Sequence, residues 1–130
     1  MKTLLCVVTA ILLLCSPGEA EAYDGLDLYS CRISARDRVN SRGGKLFRLR
    51  DILAQDRANY HKFGRRDRVD EWDGFCQSAA NRQIFQFARI RISPNLKRRI
   101  LAGENVNLSV FILTRTLIDV QEGLLDPNVG

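Results

Sequence analysis

The sequence predicts an α+β fold in which a helix packs on an antiparallel sheet, preceded by an N-terminal arm or additional helix. Three observations carry this. Val69, Trp72, Cys76, Ala79 and Ala80 recur at three- and four-residue steps, with Phe75 beside them, which is the stripe of an amphipathic helix. The period then changes to two in IFQFARIRI, residues 84–92. Finally, Val106, Leu108, Val110, Ile112, Thr114, Thr116, Ile118 and Val120 hold every second position without a break, which predicts one long strand.

The elements follow in order. Residues 1–22 read as a signal peptide: Lys2, an apolar run from Leu4 to Leu14, the Ser16-Pro17-Gly18 break and Ala20-Glu21-Ala22 before Tyr23. That run is too short to span a bilayer, and no later stretch reaches the ~20 apolar residues a span needs. The mature chain is therefore expected outside the cell, soluble and monomeric. Residues 23–65 form the arm, with a helix expected between Lys45 and Phe63 from Leu46, Leu49, Leu53 and Tyr60. Asp56 and Arg57 interrupt its apolar stripe. Residues 66–120 hold the helix and the strands, and residues 121–130 form a tail. The helix over 67–80 begins among Asp67, Asp70 and Asp73, which suit the positive end of a helix dipole. Strand 84–92 slips once between Phe87 and Ala88, which reads as a bulge. Ser93-Pro94-Asn95 punctuates it, a short piece around 99–101 resumes it, and Gly103-Glu104-Asn105 turns the chain into the last strand.

Composition narrows the function classes. The full chain carries a formal net charge of +5, and loss of Lys2, Glu19 and Glu21 with the leader raises it by one. The basic residues are interleaved with Asp37, Asp51, Asp56, Asp67 and Asp70, the pattern of a solvated basic surface rather than a nucleic-acid site. Cys31 and Cys76 are the cysteines left after the leader, and in an oxidising compartment they most simply pair with each other. Such a bond closes a loop of about 45 residues, worth roughly 4 kcal/mol in the chain-entropy model. His61 is the lone histidine and reads as a surface residue. No spacing suits a metal, a cofactor or a nucleophilic cysteine enzyme.

The stretch RRILAGENVNLSVFILTRT and, upstream, FCQSAANRQIFQFARIRIS resemble the cystatins, inhibitors of papain-like cysteine peptidases. The similarity covers about residues 66–116. Arg99, Ile100, Leu101, Ala102 and Gly103 stand where the family carries its Gln-x-Val-x-Gly hairpin, with Arg99 at the glutamine, and Gly43-Gly44 matches the glycine-bearing N-terminal trunk. The resemblance implies a narrow hairpin wedge that enters a peptidase cleft, a papain-like peptidase as partner, and no catalytic group or cofactor.

Two other readings stand beside it. YHKFGRR has the form of an amidation cassette: Phe63 as the peptide end, Gly64 as amide donor, then the pair Arg65-Arg66, with Lys97-Arg98-Arg99 as a second cutting site in a peptide precursor. A basic secreted defence or venom protein is the third. Asn107-Leu108-Ser109 is a glycosylation sequon, expected to stay unused if the neighbouring hairpin binds a peptidase.

Overall fold

A computed structural model describes residues 23–126; the expected signal peptide and residues 127–130 lie outside the described residues. Strand β1 (Asp27–Ile33) comes first, then a 3-10 turn (Ala35–Arg38) and helix α1 (Leu49–His61). A strap with neither helix nor strand, residues 67–74, leads to a second 3-10 turn (Phe75–Gln77). Short helices α2 (Ala79–Arg82) and α3 (Ile84–Phe87) follow, then β2 (Arg89–Arg91), helix α4 (Pro94–Leu101), β3 (Val106–Thr114) and β4 (Leu117–Glu122).

The fold is α+β, and its four strands form one sheet in the order β1-β3-β4-β2. β1 pairs antiparallel with β3, and β3 with β4, but β2 runs parallel to β4. The expected all-antiparallel sheet is therefore mixed. Its cause is α4, which stands between β2 and β3 and carries the chain away before β3 begins. Without it, β2 would turn directly into β3.

One core joins both halves of the chain. Ile33 from β1, Ile52 and Leu53 from α1, Phe85 from α3, Ile100 from α4, and Leu108, Ile112 and Ile118 from the last two strands bury together. Residues 27–33, expected as part of a loosely structured arm, are an edge strand of the sheet, and the helix expected between 45 and 63 is α1.

The helix expected over 67–80 is instead the strap, a 3-10 turn and α2. Two of its acidic residues, Asp70 and Glu71, serve β1 rather than a helix dipole. Ser30 N donates to Glu71 Oε1 and Arg32 N to Asp70 Oδ1, both at 2.8 Å, while Glu71 N donates to Ser30 O at 2.9 Å. These bonds close the outer edge of β1, which would otherwise offer unpaired backbone groups. Trp72, expected on a helix face, sits on the strap 62% exposed.

Residues 84–92 are a helix and a strand rather than one bulged strand. The slip at Phe87–Ala88 is their junction: Ala88 caps α3 in an extended conformation and β2 starts next. The long final strand is a hairpin. Its inward residues stay in phase across the turn, because Ile112 pairs with Ile118 and Val110 with Val120. Positions of equal parity face the same side on both arms, so the alternation runs through Arg115-Thr116 unbroken.

Ile112 is wholly buried at the centre of β3. Ile112→Ala is expected to cost about 2–5 kcal/mol in urea unfolding, and Leu113→Ala, on the half-exposed opposite side, less than half as much. Equal losses would contradict the assigned facing.

Candidate functional site

Helix α4 decides the fate of the expected wedge. Ser93 caps it, its hydroxyl accepting from Leu96 N at 3.2 Å, and Pro94 opens the first turn. At the other end Gly103 N donates to Ile100 O and Glu104 N to Arg99 O, with Gly103 at φ 94°. This is a Schellman cap, which requires a left-handed residue at its glycine. Residues 99–103 are therefore a helix end and its cap, not the tip of a β-hairpin.

The side chains there are engaged as well. Ile100 is fully buried. Arg99 reaches Glu104 at 2.9 Å and Glu122 at 2.8 Å, and both carboxyls are held below their usual range by its hydrogen bonds. Arg38 donates to the carbonyls of Ile100 and Glu104 from the other side. Only Leu101, Ala102 and Gly103 remain open. Gly43 and Gly44 form the exposed tip of a small loop, where Asn40 N donates to Gly44 O at 2.8 Å; it is Arg38, ahead of that loop, that makes the recorded bonds to residues 100–104.

Asn107 lies half-buried on β3 opposite Arg32, its Oδ1 enclosed. Cys31 and Cys76 are both buried, and each carries a free thiol in this structure. Burial pushes both thiols well above their ordinary range, which keeps them protonated. Phe63, Gly64, Arg65 and Arg66 lie in an exposed loop after α1.

Sequence reasoning missed a buried polar network. Arg57, which breaks the apolar stripe of α1, is 0% exposed. Its Nε donates to Asp56 Oδ2 at 2.8 Å, and its Nη1 to Asp73 Oδ1 at 2.9 Å and to Glu71 O at 2.8 Å. The guanidinium stacks 3.9 Å from the Tyr29 ring centre and 4.9 Å from that of Tyr60. His61, expected at the surface, is buried with Nε2 2.8 Å from Asp73 Oδ1. Asp73 Oδ2 accepts from Cys76 N at 2.6 Å.

The two carboxyls are tuned apart. Burial drives Asp73 upward, but hydrogen bonds from His61 and Arg57 outweigh it and hold the group below its ordinary value. Asp56 has less support: burial pushes it up to about 8, against the pull of Arg57. Its Oδ1 has no partner among the described residues. A charged Arg57, a charged Asp73 and a neutral Asp56 leave the enclosure balanced. The side chains of Arg57, Asp56 and Asp73 are closed off from solvent, and the network ties α1 to the strap as a structural clamp.

A groove of apolar and cationic side chains lies elsewhere, between the start of α1, β2 and α4. Phe47, Leu49, Ile90, Ile92 and Leu101 line a groove of about 320 Å³ together with Arg48, Arg50 and Lys97, and no carboxylate lines it. Arg50 Nη1 donates to Phe85 O and Gln86 O at 3.3 and 2.7 Å, tying the start of α1 to the end of α3. Phe47 is 72% exposed, and Phe87, the last residue of α3, is 83% exposed. β2 ends the sheet, so its outer edge is unpaired there, with Arg89 and Arg91 exposed at either side of Ile90. Arg48 is partly neutralised by Asp51 at 2.7 Å and Arg91 by Asp119 at 3.3 Å; Lys97 and Arg89 have no carboxylate partner among the described residues.

Comparison with known proteins returns no match: no family model, no curated protein and no solved structure aligns with this chain. Among the described residues there is no helix long and apolar enough to cross a membrane.

The clamp yields a pH-dependent prediction. The folded pKa of Asp56 lies above its unfolded value near 3.9, so its contribution to stability is full below that value and is lost as pH rises through about 8. Asp56→Asn should therefore be nearly neutral at pH 5 and gain stability relative to the parent as pH rises to 9. Asp73→Asn leaves Arg57 without its ionised partner and should cost about 3–5 kcal/mol at pH 7. Denaturant unfolding of both variants across pH measures this, and equal losses at pH 7 would contradict the assignment.

Proposed function

We propose that the mature chain is a secreted, non-catalytic binding protein that takes hold of an acidic, extended segment of another protein. The contact surface is the groove at β2, not residues 99–103. One observation carries the reading: Phe47, among the most exposed aromatic side chains, lines a cationic groove without a carboxylate at an unpaired strand edge, and exposed Phe87 lies two residues before that strand.

Each part has a physical role. An extended segment that adds to the edge of β2 gains main-chain hydrogen bonds, and alternate side chains reach the apolar floor formed by Ile90, Ile92 and Leu101. The rings of Phe47 and Phe87 supply apolar area at low cost in conformational freedom. Lys97, Arg50 and Arg89 select carboxylates and disfavour basic segments by like-charge repulsion. Three-residue β2, bracketed by arginines, is too short and too charged to pair with a second copy of itself. Inhibition of a papain-like peptidase by a wedge at 99–103 lacks support in that loop's shape, because Ile100 is buried and Arg99 is held by two glutamates.

The test is fluorescence anisotropy with a labelled peptide that alternates Glu with Phe or Leu. Binding should weaken at least about tenfold in Phe47→Ala/Phe87→Ala, the loss expected of interface anchors, and should fall as salt is raised. Trp72→Ala, an exposed aromatic outside the groove, should leave it unchanged. Equal weakening by Trp72→Ala, indifference to salt, or capture by anionic lipid vesicles in place of the peptide would overturn the reading.

A further inference from the structure

The basic loop KFGRR, residues 62–66, is exposed along its whole length. It leaves α1 through hydrogen bonds from Lys62 N and Phe63 N to Ala58 O at 2.8 and 3.1 Å, and Gly64 then turns the chain at φ 63°. From Gly64 to Asp67 the chain is neither helix nor strand, the form in which exposed loops are nicked. The other basic run, Lys97-Arg98-Arg99, lies inside α4. There Arg99 is held by Glu104 and Glu122, and the next residue, Ile100, is buried. A peptidase would have to unwind the helix and pull Ile100 from the core to reach it.

We propose that the Arg66–Asp67 bond is a processing site for a paired-basic-specific endopeptidase, and that the cut yields a stable two-chain protein rather than released peptides. Water adds across the amide: Arg66 gains a carboxylate, and the Asp67 nitrogen takes the protons and leaves as an ammonium. Both new charges meet a group already in place. Asp67 N donates to Asp70 Oδ2 at 2.7 Å, so the new ammonium faces a carboxylate. The Arg66 carbonyl oxygen accepts from Arg36 Nη1 at 3.3 Å, so the new carboxylate faces a guanidinium.

The two chains are interlocked on either side of the cut. β1, the first 3-10 turn and α1 belong to residues 23–66, and every other element belongs to the second chain. β1 remains paired with β3 from Asp27↔Ile112 to Ile33↔Val106. Glu71 and Asp70 still hold the edge of β1, Ser34 Oγ still donates to Asp67 Oδ2 at 2.8 Å, and Arg57 still holds Asp73. A peptide ending at Phe63 would stay locked in the fold through α1, so a hormone-like release is not what this cut produces. The inference is independent of the groove.

The test treats the reduced mature chain with a paired-basic-specific endopeptidase, then compares masses under denaturing conditions with native size exclusion. The expected result is two fragments, one ending at Arg66 and one beginning at Asp67, which co-elute at the position of the intact protein. Asp70→Asn should lower the melting temperature of the cut form more than that of the intact form. A first cut at 97–99, no cut at either run, separation of the fragments without denaturant, or an equal effect of Asp70→Asn on both forms would each overturn the proposal.

Discussion

The fold is organised around one buried guanidinium. An isolated ion of that kind costs several kcal/mol to remove from water, so Arg57 must be enclosed by partners of the right charge and shape. Those partners come from three parts of the chain: Tyr29 from β1, Asp56 and Tyr60 from α1, and Glu71 and Asp73 from the strap. Burial alone would lower the guanidinium's pKa; the acidic groups packed around it raise it on balance, so the group stays charged, with Asp73 as its ionised partner near neutral pH. Holding Arg57 through its Nε and Nη1 therefore fixes the strap against α1, and stacking on Tyr29 adds β1.

That placement has consequences outward from the clamp. With the strap in position, Asp70 and Glu71 meet the backbone of Arg32 and Ser30, and β1 is closed at its outer edge. The opposite end of the sheet has no such cover. There β2 keeps an unpaired edge beside exposed Phe47 and Phe87, so one side of the sheet is sealed by carboxylates and the other is left open among cations. This asymmetry is the physical basis of the proposal that a partner docks on the β2 side. It also explains why the loop at 62–66 can be exposed without loosening the strap that follows it.

Much of the core was legible in the sequence, and the errors have identifiable causes. The inward residues of β3 and β4 were read correctly, but their turn was hidden because the hairpin preserves parity and Arg115-Thr116 lacks glycine, proline or asparagine. Helix α4 was missed although its signals were present: Ser93-Pro94 at the start, basic residues in the last turn and Gly103 after the end. The pull of the hairpin resemblance hid them. The strap mimicked a helix because its apolar residues fall at helical spacing, while Asp70 and Glu71 bind a strand edge distant in sequence and Asp73 binds Arg57. The interruption of the α1 stripe at Asp56-Arg57 was a true signal of the clamp; its partner Asp73 lay in the segment misread as helix. The groove was invisible because Phe47, Ile90 and Lys97 are brought together only by the packing of the start of α1, β2 and α4.

The central claim is that the strap, held by Arg57, closes β1. Native-state hydrogen exchange of the Ser30 and Arg32 amides tests it most directly, since both donate outward to strap side chains rather than into the sheet. The account predicts that these two amides exchange as slowly as the β3 amides buried at the centre of the sheet. Fast exchange at Ser30 and Arg32 while β3 remains protected would contradict it.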